Sequence, residues 1–266
     1  MPFTTRDGVR LHWEEQGSGT PVLLCMGASY SGAMWYPAVE SLSLKHRVIW
    51  WDNRGTGQSE ASEVASIQDM ASDALAVLEA AGEDSAHVYG VSLGGVVVEQ
   101  LAVQAPDKVR SLIVGCSGIL SPDKPRAPKW LTWMALHLPK SVVAKLTGRG
   151  GGYGTACTPE RAARDLAQLA KEKPSKVAIK QQQDALRAYS VTKEQIASLT
   201  MPALVLHGTE DKLVPYKWGQ ELAETLPHAR LVTFEGAAHN YLVAIGEPAN
   251  TPVLDFLAEV DAAVTA

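Results

Sequence analysis

Ala86-His87-Val88-Tyr89-Gly90-Val91-Ser92-Leu93-Gly94-Gly95-Val96-Val97-Val98-Glu99-Gln100-Leu101-Ala102 is the stretch that decides the fold. Its first four residues form a short apolar, strand-like segment. The run from Val96 to Ala102 reads as a buried helix ending before Pro106. Gly90-x-Ser92-x-Gly94 thus falls between a strand and a helix, the context of a sharp turn that presents a nucleophilic serine. Side chains two residues before and two after that serine would collide, so glycine belongs at both places. The turn lifts the Ser92 hydroxyl above the sheet edge, at the N-terminus of the helix, where backbone dipoles favour developing negative charge. In a chain with 22 glycines the plainer reading is a Gly-Ser loop. The flanking strand and helix count against it.

Outward from this turn, the chain alternates strands and helices. Phe3-Thr4-Thr5 and Val9-Arg10-Leu11-His12-Trp13 flank Asp7-Gly8, a strong hairpin pair. Val22-Leu23-Leu24-Cys25 is continuously apolar, as a strand buried on both faces of a parallel sheet must be. Similar runs recur at Val48-Ile49-Trp50-Trp51, Leu112-Ile113-Val114, Ala203-Leu204-Val205-Leu206 and Leu231-Val232-Thr233-Phe234. Ile67, Met70, Ala71, Ala74 and Leu78 repeat at helical spacing, with Ser66 as N-cap and Gly82 just past the end. Val253, Phe256, Leu257 and Val260 make a similar stripe, opened by Pro252. The pattern is a doubly wound α/β sheet, whose ligands bind beyond the carboxyl ends of the strands. The alternation breaks between residues 121 and 200, where Pro, Lys and Gln enter helical stretches without a clear strand. Residues 1–120 and 201–266 are expected to form one core, with 121–200 a helical lid inserted after the sixth strand. Within it, residues 121–128 read as a stiff linker and 148–154 as a flexible, Gly-rich stretch.

Composition narrows the function. The 266 residues are 46% hydrophobic and 20% charged, ample for a packed core. A net charge of −5 without a basic patch argues against a nucleic-acid partner. The first residues carry no apolar signal core, and no stretch is long enough to span a bilayer, so no membrane association is expected. Cys25, Cys116 and Cys157 lack paired spacing and read as reduced thiols of a cytoplasmic protein, with no metal site. No Walker or dinucleotide glycine pattern is present, and no cofactor is expected. The expected partner is a small-molecule substrate, and a homodimer is compatible with the sequence.

A serine hydroxyl is a weak nucleophile until a base takes its proton, and the base must be a histidine oriented by a carboxylate. His12 and His87 fall in strands, His46 and His228 precede strands, and His207 ends one. His239 follows the last strand across Glu235-Gly236-Ala237-Ala238, at the same sheet edge as Ser92. The carboxylate should also follow a strand, where His207-Gly208-Thr209-Glu210-Asp211 supplies two candidates, Glu210 and Asp211. An oxyanion needs two donors: the Leu93 N–H is one, and the Ala28 N–H, after Gly27 in the loop following the third strand, is the other.

These pieces resemble the α/β-hydrolase fold superfamily, its serine-nucleophile branch, over nearly the whole chain. The resemblance rests on Met26-Gly27, Asp52-Asn53-Arg54-Gly55-Thr56-Gly57-Gln58-Ser59, Gly90-Val91-Ser92-Leu93-Gly94-Gly95, His207-Gly208-Thr209-Glu210-Asp211 with Val214-Pro215, and Gly236-Ala237-Ala238-His239. It implies Ser92 as nucleophile, His239 as base and Asp211 as its orienter, in the order of that fold. It also implies a mostly parallel sheet with a lid after the sixth strand. The loop from Asp52 to Ser59 is expected to brace the fold near the site. Many members have His-Gly where this chain has Met26-Gly27; a backbone donor survives that change. Ser92 sets the chain apart from aspartate-nucleophile dehalogenases and epoxide hydrolases.

The core is similar to 3-oxoadipate enol-lactonases and small carboxylesterases. A serine hydrolase acting on a carboxylic ester or lactone of a small, largely apolar substrate is the leading expectation. A carbon–carbon bond hydrolase, a cofactor-free perhydrolase and a ligand receptor on the same fold are the alternatives. In the lid, Trp130, Trp133, Met134 and His137 share one helix face. They are expected either to roof the pocket as substrate-binding residues or to pack on the core as filler.

Overall fold

The computed structural model describes residues 2–62, 65–125, 129–138, 152–172 and 175–265, with Leu131, Thr132, Met134, Ala135, Val264 and Thr265 described by backbone alone. Its strands are β1 (Phe3–Arg6), β2 (Val9–Gln16), β3 (Pro21–Cys25), β4 (Arg47–Trp51), β5 (Ala86–Val91), β6 (Val109–Gly115), β7 (Ala203–Gly208) and β8 (Ala229–Phe234). They form one sheet in the order β1-β2-β4-β3-β5-β6-β7-β8. β1, β2 and β4 pair antiparallel, and all pairs from β4 through β8 are parallel. The expected mostly parallel, doubly wound sheet is the fold of the chain. Asp7 and Gly8 close the first hairpin with φ of 48° and 75°, the left-handed pair that a two-residue turn demands.

The helices are α1 (Tyr36–Leu42), α2 (Ile67–Ala80), α3 (Leu93–Gln104), α4 (Lys129–His137), α5 (Pro159–Leu169), α6 (Lys176–Ala188), α7 (Lys193–Ala197), α8 (Tyr216–Thr225), α9 (Tyr241–Ile245) and α10 (Thr251–Thr265). Side chains alternate across the parallel strands and so feed two cores. Leu23, Cys25 and Val88 pack with Met70 and Leu78 of α2 and Val97 and Leu101 of α3. Val22, Leu24 and Tyr89 pack on the other face with Trp35, Leu42 of α1 and Phe256 of α10. Ser66 caps α2 in a reciprocal box with Asp69, and Gly82 follows its end at φ 77°. Helices α4 to α7 all lie between β6 and β7, where the strand alternation breaks.

One residue of α3 sits badly in this core. Glu99 is fully buried, and neither carboxylate oxygen finds a hydrogen-bond partner among the described residues. Burial pushes its pKa up to about 8, the Lys124 ammonium countering only part of that. The folded value stands above the ~4.3 of an unfolded chain. Its contribution to stability is therefore full below about pH 4 and is lost as pH rises to about 8, by roughly a few kcal/mol. Glu99→Met should raise the melting temperature by several degrees near pH 8 and much less near pH 5. Equal gains in thermal melts at both pH values would remove protonation as the cause.

Candidate active site

Ser92 joins β5 to α3 with φ 56° and ψ −120°, a backbone region that costs a non-glycine residue on the order of 1–3 kcal/mol. The surroundings hold it there. A Cβ on Gly90 would run into the Gly94 carbonyl, and one on Gly94 into the Cys25 carbonyl. The Ser92 N–H donates to the Gly115 carbonyl of β6 at 2.9 Å. Leu93 opens α3, so its N–H has no intrahelical acceptor.

The loops leaving β7 and β8 bring two further groups to this edge. His239 Nε2 lies 2.9 Å from Ser92 Oγ, and His239 Nδ1 lies 2.7 Å from Asp211 Oδ2. Asp211 Oδ1 accepts from the Leu213 and Val214 N–H groups at 2.8 and 2.9 Å. His207 Nε2 sits 3.0 Å from the Val214 carbonyl and 3.4 Å from Asp211 Oδ2. Burial opposes the Asp211 charge, but hydrogen bonds from His207, His239 and Val214 hold its carboxyl well below the usual carboxylate range. Near neutral pH it is ionised and can only accept, so Nδ1 of His239 is the protonated nitrogen. Glu210 turns elsewhere: it accepts from the Thr155 N–H at 2.9 Å and the Thr155 hydroxyl at 2.6 Å.

The loop after β3 lies against the serine. A Cβ on Gly27 would stand 3.3 Å from Ser92 Cβ and 3.9 Å from its Oγ. Asn53 Nδ2 donates to the Met26 carbonyl at 3.0 Å. Asp52 accepts from the Gly32 N–H at 2.7 Å, the Gln58 N–H at 2.8 Å and His12 Nδ1 at 2.9 Å, so the loop from Asp52 to Ser59 braces this region. Ser29, at φ 69°, gives its N–H to Gln182 Oε1 of α6 at 2.7 Å. Ser31 gives its N–H and hydroxyl to Glu172 at 2.8 and 2.7 Å. Among the described residues no acceptor takes the Ala28 N–H.

Sequence reasoning passes over Gln182 and Glu172. A signal existed for the first: Ala178, Gln182 and Ala185 share one buried face of α6, where a glutamine between alanines needs a partner.

The inserted segment also grips the histidine loop. Asn240 N–H donates to the Gly152 carbonyl at 2.7 Å, Ala238 N–H to the Tyr153 carbonyl at 2.9 Å, and Ala156 N–H to the Gly236 carbonyl at 2.8 Å. Residues 152–154, expected to be flexible, are instead pinned beside His239; 148–151 lie outside the described residues. Asp165 of α5 is fully buried and accepts from Tyr36 and Tyr153 hydroxyls at 2.9 and 2.7 Å and from Asn240 Nδ2 at 3.2 Å. Burial and this carboxylate raise both tyrosine pKa values well above the ordinary, so the hydroxyls remain donors.

The expected roof is less fixed. Trp130 and Trp133 of α4 are each 56% exposed. The Trp133 ring stacks on His137, which bonds back to the Trp133 carbonyl at 2.8 Å. More than half of each tryptophan thus faces solvent, and the side chain of Met134 lies outside the described residues. Two surface hollows, one beside Arg6, Leu75 and Glu79 and one beside Glu14, Tyr36 and Trp50, are not lined by Ser92 or His239 and stand apart from the site.

With this geometry in view, comparison with known proteins places the chain. Residues 22–245 match the hydrolase family described as serine aminopeptidase, S33. The chain belongs to this α/β-hydrolase family. It is similar to "Putative carbamate hydrolase RutD" of Azorhizobium caulinodans, 31% identical over 98% of this chain and 100% of that protein. It is also similar to the pimeloyl-[acyl-carrier protein] methyl ester esterase of Aliivibrio salmonicida, 30% identical over 94% of this chain and 97% of the esterase. A solved structure described as Est816, an N-acyl homoserine lactone degrading enzyme, superposes with a TM-score of 0.81 at 26% identity, covering 96% of this chain and 100% of that one. The protein is thus a hydrolase. No helix among the described residues is long and apolar enough to cross a membrane.

Proposed function

We propose that this hydrolase cleaves a carboxylic ester or lactone of a small, largely apolar substrate through an acyl-enzyme on Ser92. The observation that carries the reading is the chain of contacts from Ser92 Oγ through His239 to the ionised Asp211, set on a strained turn. His239 takes the proton from Ser92 as its oxygen attacks the carbonyl, then gives it to the leaving alcohol. Water repeats the sequence and frees the acid. Asp211 holds the imidazole with Nδ1 protonated and Nε2 free to accept. The Leu93 and Ala28 N–H groups, both without an acceptor among the described residues, receive the oxyanion. The lactone-degrading and methyl-ester-cleaving relatives support this substrate class. The similarity to a protein named as a carbamate hydrolase favours a second reading, transfer of a carbamoyl group by the same residues. The buried, unpaired thiols of Cys25 and Cys116 fit a reducing compartment, and the proposed location is the cytoplasm.

A panel of aryl esters, lactones and carbamates, with a fluorophosphonate probe for Ser92, tests the proposal. Turnover of an ester or lactone with labelling at Ser92 supports it; labelling with turnover of carbamates alone selects the second reading. Neither labelling nor turnover removes both. The tryptophans of α4 are proposed to hold the acyl or aryl group, each buried methylene contributing about 0.8 kcal/mol. Medium-chain or aromatic esters should then exceed acetates in kcat/KM. Trp133→Ala should raise KM several-fold for the longer ester and little for acetate. Equal losses on both, measured beside a thermal melt, would take Trp133 out of substrate binding.

A further inference from the structure

The donor expected from Ala28 lies on the peptide unit joining Gly27 to Ala28. The peptide before it is fixed by Asn53, which donates to the Met26 carbonyl at 3.0 Å. The peptide after it carries the Ser29 N–H, fixed by Gln182 Oε1 at 2.7 Å. Two clamps therefore bracket the unit whose N–H has no acceptor among the described residues. One clamp comes from the sheet side of the molecule, the other from the inserted segment, 153 residues away in sequence.

The second clamp restrains a backbone that would otherwise relax. Ser29 has φ 69°, a left-handed conformation that a non-glycine residue leaves when nothing holds it. The clamp itself is well seated. Gln182 is 1% exposed. Its Oε1 must face the Ser29 N–H, because only an acceptor can meet a donor. That orientation leaves Nε2 buried without a partner among the described residues. One turn before, Ala178 packs against Gly55, where a Cβ would come to 2.5 Å from the Ala178 Cβ. One turn after, Ala185 joins the buried cluster that also holds Leu23 of β3 and Leu101 of α3. Just past the helix, the Tyr189 hydroxyl donates to Gln100 of α3 at 2.9 Å. Helix α6 is thus fastened to the body on both sides of Gln182, and Glu172 adds a grip on Ser31.

We propose that Gln182 is a positioning residue for the oxyanion hole: the inserted segment, through this side chain, aims the Ala28 N–H at the developing negative oxygen. The proposal rests on the serine-hydrolase reading above. Gln182 touches no reacting atom in it and acts only through the loop. The residue's effect belongs to the transition state, since a misaimed donor weakens oxyanion binding far more than binding of the neutral ester.

The test compares wild type with Gln182→Met, which keeps volume and helix propensity while deleting the acceptor, and with Gln182→Ala should the methionine variant not fold. The readouts are kcat and KM on an aryl ester and the inhibition constant of an aryl trifluoromethyl ketone, whose serine adduct bears the oxyanion. The expected result is a fall in kcat on the order of 10- to 100-fold, somewhat less than removal of a whole donor. KM should stay within about threefold, and ketone affinity should fall in parallel with kcat. An unchanged kcat, a rise in KM alone, or a loss of kcat with undiminished ketone affinity would each overturn the proposal. Failure of the underlying reading looks different: wild type itself would then show no ester turnover and no fluorophosphonate label on Ser92.

Discussion

Ser92→Ala is expected to lower kcat/KM on an ester by more than about a thousandfold while leaving the protein folded. Without the hydroxyl no acyl-enzyme forms, and only the oxyanion donors and substrate binding remain to accelerate attack by water. The fold should survive because the turn is not held by the serine side chain. It is held by the Ser92 N–H on the Gly115 carbonyl and by the close approach of Gly90 to Gly94 and of Gly94 to Cys25. Alanine meets the same left-handed φ of 56° at much the same cost as serine. Removing the hydroxyl also breaks its hydrogen bond with His239 Nε2, which stabilises the fold by about 1 kcal/mol. Rates on an aryl ester, with circular dichroism and a thermal melt of the same preparation, decide the matter. Turnover near wild type in pure Ser92→Ala protein would end the serine-hydrolase reading.

Asp211→Asn is expected to cost about ten-thousandfold in kcat, the size seen when the same change turns the histidine of a well-studied protease to the wrong tautomer. Here Asp211 Oδ2 accepts from His239 Nδ1 at 2.7 Å, and its other oxygen already takes two backbone N–H groups. An amide NH2 in place of Oδ2 would need an acceptor, so His239 would turn its proton to Nε2 and lose its capacity to take one from Ser92. Because the carboxyl sits well below the usual range, acid does not neutralise it at working pH, and the variant's deficit should persist from about pH 5 to 9. Glu210→Gln is the control. Its partners are the Thr155 N–H and hydroxyl, so the expected loss is within a few-fold. A severe Glu210→Gln beside a mild Asp211→Asn would exchange the two roles.

The choice between these neighbours illustrates where the sequence stops. Both carboxylates follow β7 in one turn, and no local spacing separates them. Consecutive residues in a turn point to different sides, and which side holds His239 depends on the loop after β8 folding back over β7. The tryptophans of α4 show the same limit. A stripe at helical spacing identifies one face of a helix without naming what meets it, and Trp130 and Trp133 stand more than half exposed. The glycines of residues 152–154 suggest flexibility, yet this backbone bonds to Ala238 and Asn240, a pairing between distant segments.

What the sequence determined by itself is whatever backbone sterics and period impose within a few residues. Short apolar runs bounded by turn residues, such as Val22 to Cys25 after Gly19-Thr20-Pro21, read as strands covered on both faces. Asp7-Gly8 can take the left-handed pair a tight hairpin needs, and Gly90 and Gly94 permit the turn that raises Ser92. Tertiary structure alone decided the partners of polar groups. Asp211 rather than Glu210 meets His239, and Gln182 meets Ser29 across 153 residues. A buried donor or acceptor must be satisfied by some group, but that requirement carries no address. The partner is fixed only when helices of the inserted segment pack on the loops at the sheet edge, and this packing is set by shape complementarity between segments that share no local sequence.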